Sequence, residues 1–364
     1  MHKYCVILAG GSGTNFWPIS REDKPKPFIP AGPSGLSFVQ QTYRRALELF
    51  PAERIFIVSL SRYSEVLAEQ FPDVAPDHLL LEPYGRGTAT SIAFVTYKLL
   101  AMDPEAVMVV TACDHYIGTD ARFSSAISKA MDYAAGTDAL LTLGIVPTSP
   151  NPNFGYVQIE GGSEAYRIGE PVKAKTFTEK PSEELARVFV DSGEFLWNSG
   201  IFVWKASAIR EEMHSCCPEI TNLWKGWQKN LGGAGEARFV ERVYSDSPNN
   251  SIDYAVLEKS RNLSVLPCDF DWTDIGSFLA YYDYDSAKDA DSNLTAGVRG
   301  KCFLKDASGN MVYCDEARKL VVLRGLKDYM VVDAGDVLMI CPRDEDIMKD
   351  TVREITCPEF SEYR

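Results

Sequence analysis

The sequence predicts an α/β fold, built on a mostly parallel sheet with helices on both faces and followed by a small all-β domain at the C-terminus. Two observations predict it. Short apolar runs alternate with segments of helical period over roughly the first 145 residues, as in a parallel sheet with crossover helices. Beyond about residue 297, short apolar runs recur at turn-like spacing, as in an all-β domain.

The apolar runs of the first part have the length of buried strands. They are YCVILA (4–9), RIFIVSL (54–60), HLLLE (78–82), VMVVTA (107–112) and ALLTLGI (139–145). The predicted helices between them are SFVQQTYRRALELF (37–50), TSIAFVTYKLLAM (90–102) and FSSAISKAMDYAAG (123–136). Ser37 is a predicted N-cap and Gly136 a predicted C-cap. Because ligands bind such sheets at the carboxyl ends of strands, the residues after each strand are candidate site residues.

The remaining chain mixes strand and helix patterns before it becomes strand-rich. An antiparallel insertion is predicted from GYVQIE (155–160) and VKAKTFTEK (172–180), then a helix from Ser182 (182–193) and the strand GIFVWKA (200–206). The C-terminal strands are MVYC (311–314), LVVLRG (320–325), YMVVDAG (329–335) and VLMICP (337–342). A polar stretch without period precedes them. The predicted domains are therefore 1–283 and 298–364, joined by a linker at 284–297.

Composition excludes several classes of function. The net charge of −14 argues against nucleic-acid binding, which usually needs a basic face. No apolar run approaches the roughly 18 residues of a membrane-spanning helix, and no signal peptide is predicted. The nine cysteines form no CxxC pair, which favours reduced thiols in the cytoplasm over zinc sites or disulfides.

A glycine-rich loop follows the first predicted strand, in LAGGSGTNFWPISREDKPKPF (8–28). A Walker loop is excluded because no Lys-Ser/Thr pair follows Gly13, and a dinucleotide loop because position 16 is Phe. The loop begins with glycines that allow close backbone approach and ends with cations that can neutralise phosphoryl oxygens. It is therefore predicted to wrap a triphosphate. These residues are Gly10, Gly11, Gly13, Arg21, Lys24 and Lys26.

This stretch resembles the signature GGxGxRxxPxSxxxPKxF of the sugar nucleotidyltransferases, and its Trp-Pro-x-Ser-Arg variant resembles their mannose-1-phosphate guanylyltransferase branch. Further segments that resemble this family cover essentially the whole chain. They include LEPYGRGTATSIAF (81–94), VVTACDHYI (109–117), LGIVPTSPNPNFGYVQI (143–159), KTFTEKP (175–181), FLWNSGIFVW (195–204), SIDYAVLEK (251–259) and FDWTDIGSF (270–278). The resemblance implies a Rossmann-like nucleotidyltransferase domain, a β-helix-like C-terminal domain and a homodimer formed through it.

The resemblance also implies the reaction. Mannose 1-phosphate attacks the α-phosphorus of GTP, giving GDP-mannose and pyrophosphate. The attacking group is already an anionic phosphate oxygen, so no Ser, Cys or His nucleophile is required. Catalysis is then expected from alignment and charge neutralisation.

Site residues follow from the resemblance, position by position. Asp114 and Asp274 hold Mg²⁺, for which carboxylate oxygens are suitable ligands, while Arg21 and Lys26 neutralise phosphate charge. The implied nucleotide-binding residues are Leu8, Gly10, Gly11, Gly13, Lys26, Glu82, Pro83, Gly85 and Thr88. The implied sugar-phosphate residues are Gly155, Glu179, Lys180 and Asn198. Asp271 and His115 are expected to be structural neighbours.

One departure from the family stands out. Asn15 occupies the position of a family Arg, and a neutral amide cannot replace an always-charged guanidinium. The first hypothesis is an active guanylyltransferase in which Arg21, Lys24 or Lys26 compensates. Alternatives are a weakened paralogue that binds nucleotide or sugar nucleotide and acts through a partner, and an enzyme for another hexose phosphate or nucleotide. The retained Asp114 and Asp274 favour an active enzyme.

Overall fold

The structure is a computed structural model, and it describes residues 2–11, 13–32, 34–118, 121–355 and 357–363. The strands of the first three-quarters of the chain are β1 (Lys3–Leu8), β2 (Ile55–Leu60), β3 (Leu79–Glu82), β4 (Val107–Ala112), β5 (His115–Ile117), β6 (Leu140–Ile145), β7 (Tyr156–Ile159), β8 (Val172–Thr178), β9 (Phe195–Lys205), β10 (Leu263–Cys268) and β11 (Trp272–Asp274). Those of the last quarter are β12 (Leu294–Thr295), β13 (Lys301–Lys305), β14 (Met311–Cys314), β15 (Leu320–Arg324), β16 (Tyr329–Ala334) and β17 (Val337–Pro342).

The helices are α1 (Phe38–Leu47), α2 (Ser64–Gln70), α3 (Gly87–Met102), α4 (Ala121–Gly136), α5 (Glu183–Ser192), α6 (Ala206–Cys216), α7 (Pro218–Thr221), α8 (Trp227–Asn230), α9 (Glu236–Asp246), α10 (Phe278–Tyr284) and α11 (Glu345–Ile355). The predicted N-cap Ser37 is confirmed, and Ser182, the predicted first residue of a helix, is the N-cap of α5. The Ser37 hydroxyl accepts the backbone N–H of Gln40 at 3.3 Å, and the Ser182 hydroxyl accepts that of Leu185 at 3.3 Å. Each satisfies an N–H that a helix start leaves without an intrahelical partner.

The chain divides into two compact units. The first unit comprises Met1–Gly10, Tyr43–Ala112 and Ile117–Trp272, and the second comprises Gly11–Thr42, Cys113–Tyr116 and Thr273–Arg364. Each has an apolar core of its own. The division at residues 283 and 298 stays a prediction.

A nine-stranded sheet forms the centre of the first unit, in the order β3-β2-β1-β4-β9-β6-β10-β8-β7. Strands β3, β2, β1 and β4 pair in parallel, and so do β6 and β10. Strand β9 lies between β4 and β6 and runs antiparallel to both. The sheet is therefore mixed: β8 and β9 run opposite to the other seven strands, and the prediction of a mostly parallel sheet holds except at these two. An apolar run records that a strand is buried but not its direction, so the sequence pattern could not reveal β9 as antiparallel.

The second unit contains the strand-rich C-terminal region. Strands β12, β14 and β16 pair in parallel, β17 joins β16 antiparallel, and β13 pairs in parallel with β15. The all-β prediction holds as far as Pro342 and fails beyond it, because α11 follows. One face of α11 is apolar, and its residue Met348 is buried in the core of this unit with Phe16 and Met339.

Among the described residues, no helix combines the length and the apolar character that a membrane crossing requires.

Candidate active site

Two carboxylates and an imidazole come together in the second unit. One ligand atom from each of Asp114, His115 and Asp274 lies within 4.8 Å of the others. Although Asp114 and Asp274 are far apart in sequence, the backbone N–H of Ile275 donates to the Asp114 carbonyl oxygen at 3.3 Å and keeps the two segments adjacent. Two carboxylates at this separation suit a hard divalent cation, which prefers oxygen ligands. His115, expected to be structural, lies near enough to take part.

Lys26 supplies a positive charge to this centre. Its Nζ donates to Asp114 Oδ2 at 2.6 Å, and it lies over the rings of Phe16 and Phe38 at 5.1 and 5.5 Å from their centroids. The lysine side chain is 5% exposed. Burial raises the pKa of the Asp114 carboxyl, but Lys26 and His115 outweigh burial and hold that pKa below its usual value. Asp114 is therefore an anion beside a buried cation.

Gly13 makes the close approach of the loop to Lys26 feasible. Its φ is +62°, in the left-handed region, and its carbonyl oxygen accepts the Ser20 hydroxyl at 2.5 Å. A Cβ at this position would lie 2.1 Å from the Lys26 Cβ. Only glycine fits both the backbone angle and the space.

We expect Gly13→Ala to lower the free energy of unfolding by roughly 1–3 kcal/mol, because the alanine would be strained at positive φ and would collide with Lys26. Gly11→Ala is the matched control, since a Cβ there meets no atom within 4 Å. Urea unfolding of both variants checks this. Equal stability of the two would contradict the geometry described for Gly13.

Arg21, predicted to act on phosphate, forms an ion pair and hydrogen bonds within the second unit. Its guanidinium pairs with the Asp336 carboxylate and donates to the carbonyl oxygens of Ala334 and Pro18, each at 3.2 Å. These contacts fix the end of the loop to the turn between β16 and β17. A role for Arg21 at the phosphates stays a prediction, and it would require release from Asp336.

Asn15 makes a neutral contact at the position of the family Arg. Its Nδ2 donates to the Gly276 carbonyl oxygen at 3.3 Å. Gly276 follows Asp274 by two residues, and a Cβ on Gly276 would lie 3.8 Å from Asp274 Oδ2. The side chain of Asn15 therefore connects the glycine loop to the segment that carries Asp274.

In the first unit, the predicted nucleotide-binding residue Glu82 carries a buried carboxyl. Glu82 ends β3, and its Oε1 accepts the hydroxyls of Ser91 at 2.6 Å and Tyr244 at 2.8 Å. Burial raises the pKa of Glu82, although the two hydroxyls act in the opposite direction. A Cβ on Gly10 would lie 3.1 Å from Glu82 Oε2. Gly10, two residues after the end of β1, therefore lies beside the Glu82 side chain at the end of β3.

The other residues of this group belong to the same two strand ends. Leu8 is the last residue of β1, while Pro83 and Gly85 lie in the turn from β3 to α3. Thr88 is in the first turn of α3, where its hydroxyl accepts the backbone N–H of Ile252 at 2.9 Å. Gly11 and Gly13 belong to the second unit.

The four predicted sugar-phosphate residues come together in the first unit. The Asn198 backbone N–H donates to the Gly155 carbonyl oxygen at 2.8 Å, and Lys180 Nζ lies 3.5 Å from Glu179 Oε1. A Cβ on Gly155 would lie 2.6 Å from Glu179 Oε2 and 3.2 Å from the Asn198 Cβ. Gly155 is therefore needed for Glu179 and Asn198 to approach each other.

Glu179 has an unusual protonation equilibrium. Burial, and secondarily the negative charge of Asp253, raise the pKa of its carboxyl to about 7, against the opposing effect of Lys180. The carboxyl is 12% exposed, whereas the Lys180 side chain is 60% exposed. Glu179 can thus change charge near neutral pH.

Sequence reasoning missed Thr142, Ser91, Tyr244 and Asp253, which hold the predicted residues in place. Ser91 and Tyr244 orient Glu82, while Thr142 and Asp253 contact the Asn198 amide. Asp253 lies inside the quoted motif SIDYAVLEK and Ser91 inside LEPYGRGTATSIAF, so a signal existed for both. Thr142 and Tyr244 carry hydroxyl groups within a strand and a helix, which no local pattern distinguishes.

Comparison with known proteins covers nearly the whole chain. The sequence profile of the nucleotidyl transferase family matches residues 4–291. The xanthan biosynthesis protein XanB of Xanthomonas campestris pv. campestris (strain B100) is 33% identical over 361 residues, which are 98% of this chain and 74% of the relative. The mannose-1-phosphate guanylyltransferase of Escherichia coli (strain K12) is 31% identical over 368 residues, covering 99% of this chain and 75% of the relative.

A solved structure shows the same fold. The crystal structure described as mannose-1-phosphate geranyltransferase from Thermus thermophilus has a TM-score of 0.85 and 29% identity to this chain. It matches over 98% of this chain and 100% of its own. The predicted α/β fold is thereby confirmed.

Proposed function

This chain belongs to the nucleotidyl transferase family, and on that premise we propose that it transfers GMP from GTP to mannose 1-phosphate, giving GDP-mannose and pyrophosphate. The observation that carries the proposal is the centre formed by Asp114, Asp274 and Lys26, where two carboxylates and a buried ammonium converge. Such a centre suits the transfer of a phosphoryl group, whose charge must be neutralised during the reaction.

The reaction needs no protein nucleophile. An oxygen of the sugar phosphate forms the new bond to the α-phosphorus, the bond from that phosphorus to the α–β bridging oxygen breaks, and pyrophosphate leaves with its electron pair. The work of this chain is to align the two substrates and to neutralise charge. Lys26 is placed to do so, because its ammonium contacts Phe16, Phe38 and Asp114.

Mg²⁺ is the cofactor in this proposal, and the residues present fit it. Asp114 and Asp274 offer hard oxygen ligands close together, with His115 beside them. Bound there, Mg²⁺ would neutralise phosphoryl oxygens of the nucleotide. Lys26 keeps Asp114 ionised, and Asn15 steadies the segment of Asp274 through Gly276.

The sugar is assigned to the group around Glu179 and Asn198. A carboxylate and an amide side by side can pair with adjacent hydroxyls, and the exposed ammonium of Lys180 suits the phosphate of mannose 1-phosphate. The nucleotide is assigned to the ends of β1 and β3, with Glu82 as the polar group and Gly10 allowing close approach. The preference for guanine rests on the family relationship.

The pH dependence of sugar-phosphate use follows from Glu179. Below about pH 7 its carboxyl becomes protonated in the free enzyme, so one of its two oxygens turns into a hydrogen-bond donor and the pair no longer accepts from two adjacent hydroxyls. We expect kcat/KM for mannose 1-phosphate to fall about tenfold per pH unit below that value, which gives its pH profile an acidic limb. The pH profile of kcat/KM for GTP, measured at saturating sugar phosphate, should lack this acidic limb. Glu179→Gln should lower kcat/KM and flatten the limb. If the acidic limb were unchanged in Glu179→Gln, a titrating group other than Glu179 would be its source.

The function is tested by pyrophosphate release with GTP, mannose 1-phosphate and Mg²⁺, run for the native protein, Asn15→Arg and Asn15→Met. We expect the native protein to be active and Asn15→Arg to change kcat/KM by less than about tenfold, because Lys26 already neutralises charge at the centre. Asn15→Met controls for loss of the contact with Gly276.

One observation favours the alternative of a weakened paralogue: the guanidinium of Arg21 is already ion-paired with Asp336, so it does not replace the family Arg at the phosphates. This alternative predicts a silent native protein and a gain of about a hundredfold or more in Asn15→Arg. The same assay with other nucleoside triphosphates and hexose 1-phosphates tests the third reading, an enzyme for another substrate pair.

Three finer features belong to this proposal. The C-terminal strands form a β-helix-like domain, which the parallel pairings of Met311 with Met330 and of Lys301 with Leu320 support.

The protein is a homodimer through that domain, supported by large apolar side chains that are more than half exposed there. They are Phe303, Leu320, Val322, Leu338 and Ile340. It works in the cytoplasm, supported by nine cysteines that are all free thiols.

A further inference from the structure

Asn198, assigned to the sugar, has only one side of its amide available. Its Oδ1 accepts the Thr142 hydroxyl at 2.7 Å and the backbone N–H of Gly200 at 3.2 Å. A carbonyl oxygen has two lone pairs, so this oxygen is fully used. The amide can therefore contact a ligand only through the two hydrogens on Nδ2.

Asp253 takes one of those hydrogens. Asn198 Nδ2 donates to Asp253 Oδ1 at 3.4 Å. Asp253 is half-buried and is the first residue of a π-helical segment, Asp253–Leu257, a rare geometry that is frequent at functional sites. With the oxygen fixed by Thr142 and Gly200 and one hydrogen fixed by Asp253, the second hydrogen of Nδ2 has a single direction.

Asp253 also acts on Glu179. Its negative charge is the largest influence on Glu179 after burial, ahead of the opposing Lys180 and of Glu258. Glu258 contacts the backbone instead: its Oε1 accepts the Glu179 backbone N–H at 3.0 Å. Two partly buried carboxyls that act on each other electrostatically repel when both are ionised. A ligand with two adjacent hydroxyl groups, one donating to Glu179 and the other accepting from Asn198 Nδ2, would offset that repulsion.

We propose that Asp253 is a positioning residue of the sugar site, which orients the Asn198 amide and makes Glu179 selective for a ligand with adjacent hydroxyl groups. The inference rests on the proposed function, because it concerns the site to which mannose 1-phosphate is assigned. Asp253 does not need to touch the ligand, since it acts through Asn198 and Glu179.

The test compares Asp253→Asn with Glu258→Gln, each of which removes one negative charge near Glu179. In Asp253→Asn we expect KM for mannose 1-phosphate to rise about tenfold with KM for GTP unchanged. The acidic limb of kcat/KM should move to lower pH, because a repelling charge is gone. Glu258→Gln should leave KM for the sugar phosphate within about twofold, because it does not touch Asn198.

A second readout does not depend on catalysis. The titration of the Glu179 side-chain carboxyl, followed by carbon NMR and assigned with Glu179→Gln, should move to lower pH in Asp253→Asn. Calorimetry should show weaker binding of mannose 1-phosphate. A protein without transferase activity that still shows both effects would retain the inference and overturn the proposed function. An unmoved Glu179 titration, or equal effects of Asp253→Asn and Glu258→Gln on KM, would overturn the inference itself.

Discussion

Asp114→Asn is expected to reduce kcat for pyrophosphate release by about a thousandfold, equivalent to roughly 4 kcal/mol of transition-state stabilisation. The substitution keeps the size of the side chain and its capacity to accept from Lys26, but it removes the negative charge that a divalent cation requires. Asp274→Asn should have a similar effect. In both variants the Mg²⁺ concentration for half-maximal activity should rise. Steady-state assays across a Mg²⁺ series check this.

Asp269→Asn is the matched control. Asp269 is also an aspartate close to this region in sequence, but its side chain is 54% exposed and its ion-pair distance to Arg122 is 3.9 Å. We expect its activity and Mg²⁺ dependence to equal those of the native protein. Full activity of Asp114→Asn would show that the carboxylates of Asp114 and Asp274 do not form the catalytic metal site.

Lys26→Met should be the second most damaging change. It leaves Asp114 without its cation in a site where Lys26 is almost completely buried, and breaking such a pair costs about 3 kcal/mol of stability or more. Turnover at saturating substrate should fall about a hundredfold, as expected when one charge-stabilising donor is removed. Methionine keeps the contacts of the lysine stem with Phe16 and Phe38. Urea unfolding and kcat are measured together.

Lys24→Met is the matched control, because it removes the same charge from a different position in the loop. Lys24 lies two residues earlier in the same loop and is exposed, so stability should remain within about 0.5 kcal/mol of the native value and turnover should change little. If Lys24→Met rather than Lys26→Met abolished activity, the cation that matters at the phosphates would be Lys24, as one version of the compensation hypothesis holds.

The strands were more predictable than their arrangement. The runs at 107–112, 311–314 and 337–342 were predicted with their observed bounds, because each is apolar and ends at a clear break. Strand β9 was predicted five residues short at its start, since Trp197-Asn198-Ser199-Gly200 reads as a polar turn. In the structure Asn198 is buried within the strand, where Thr142 and Asp253 satisfy its amide. Such partners are distant in sequence and leave no local pattern.

The site was predicted mainly through family resemblance. Asp114, Asp274 and Lys26 lie together, while their roles toward Mg²⁺ and phosphate stay predictions. The fate of Arg21 could not be foreseen, because the Asp336 that pairs with it lies more than 300 positions away. The raised pKa of Glu179 likewise depends on burial and on Asp253, both of which are consequences of tertiary packing.

The central claim is that GMP is transferred to the sugar phosphate, and the fate of GTP labelled at its α-phosphate tests it most directly. With mannose 1-phosphate and Mg²⁺, we predict that the label appears in GDP-mannose while unlabelled pyrophosphate is released in equal amount. No labelled sugar nucleotide should form without mannose 1-phosphate or with Asp114→Asn. Label that stays in GTP in every mixture, although the protein binds GTP, would contradict the claim and identify a nucleotide-binding protein instead.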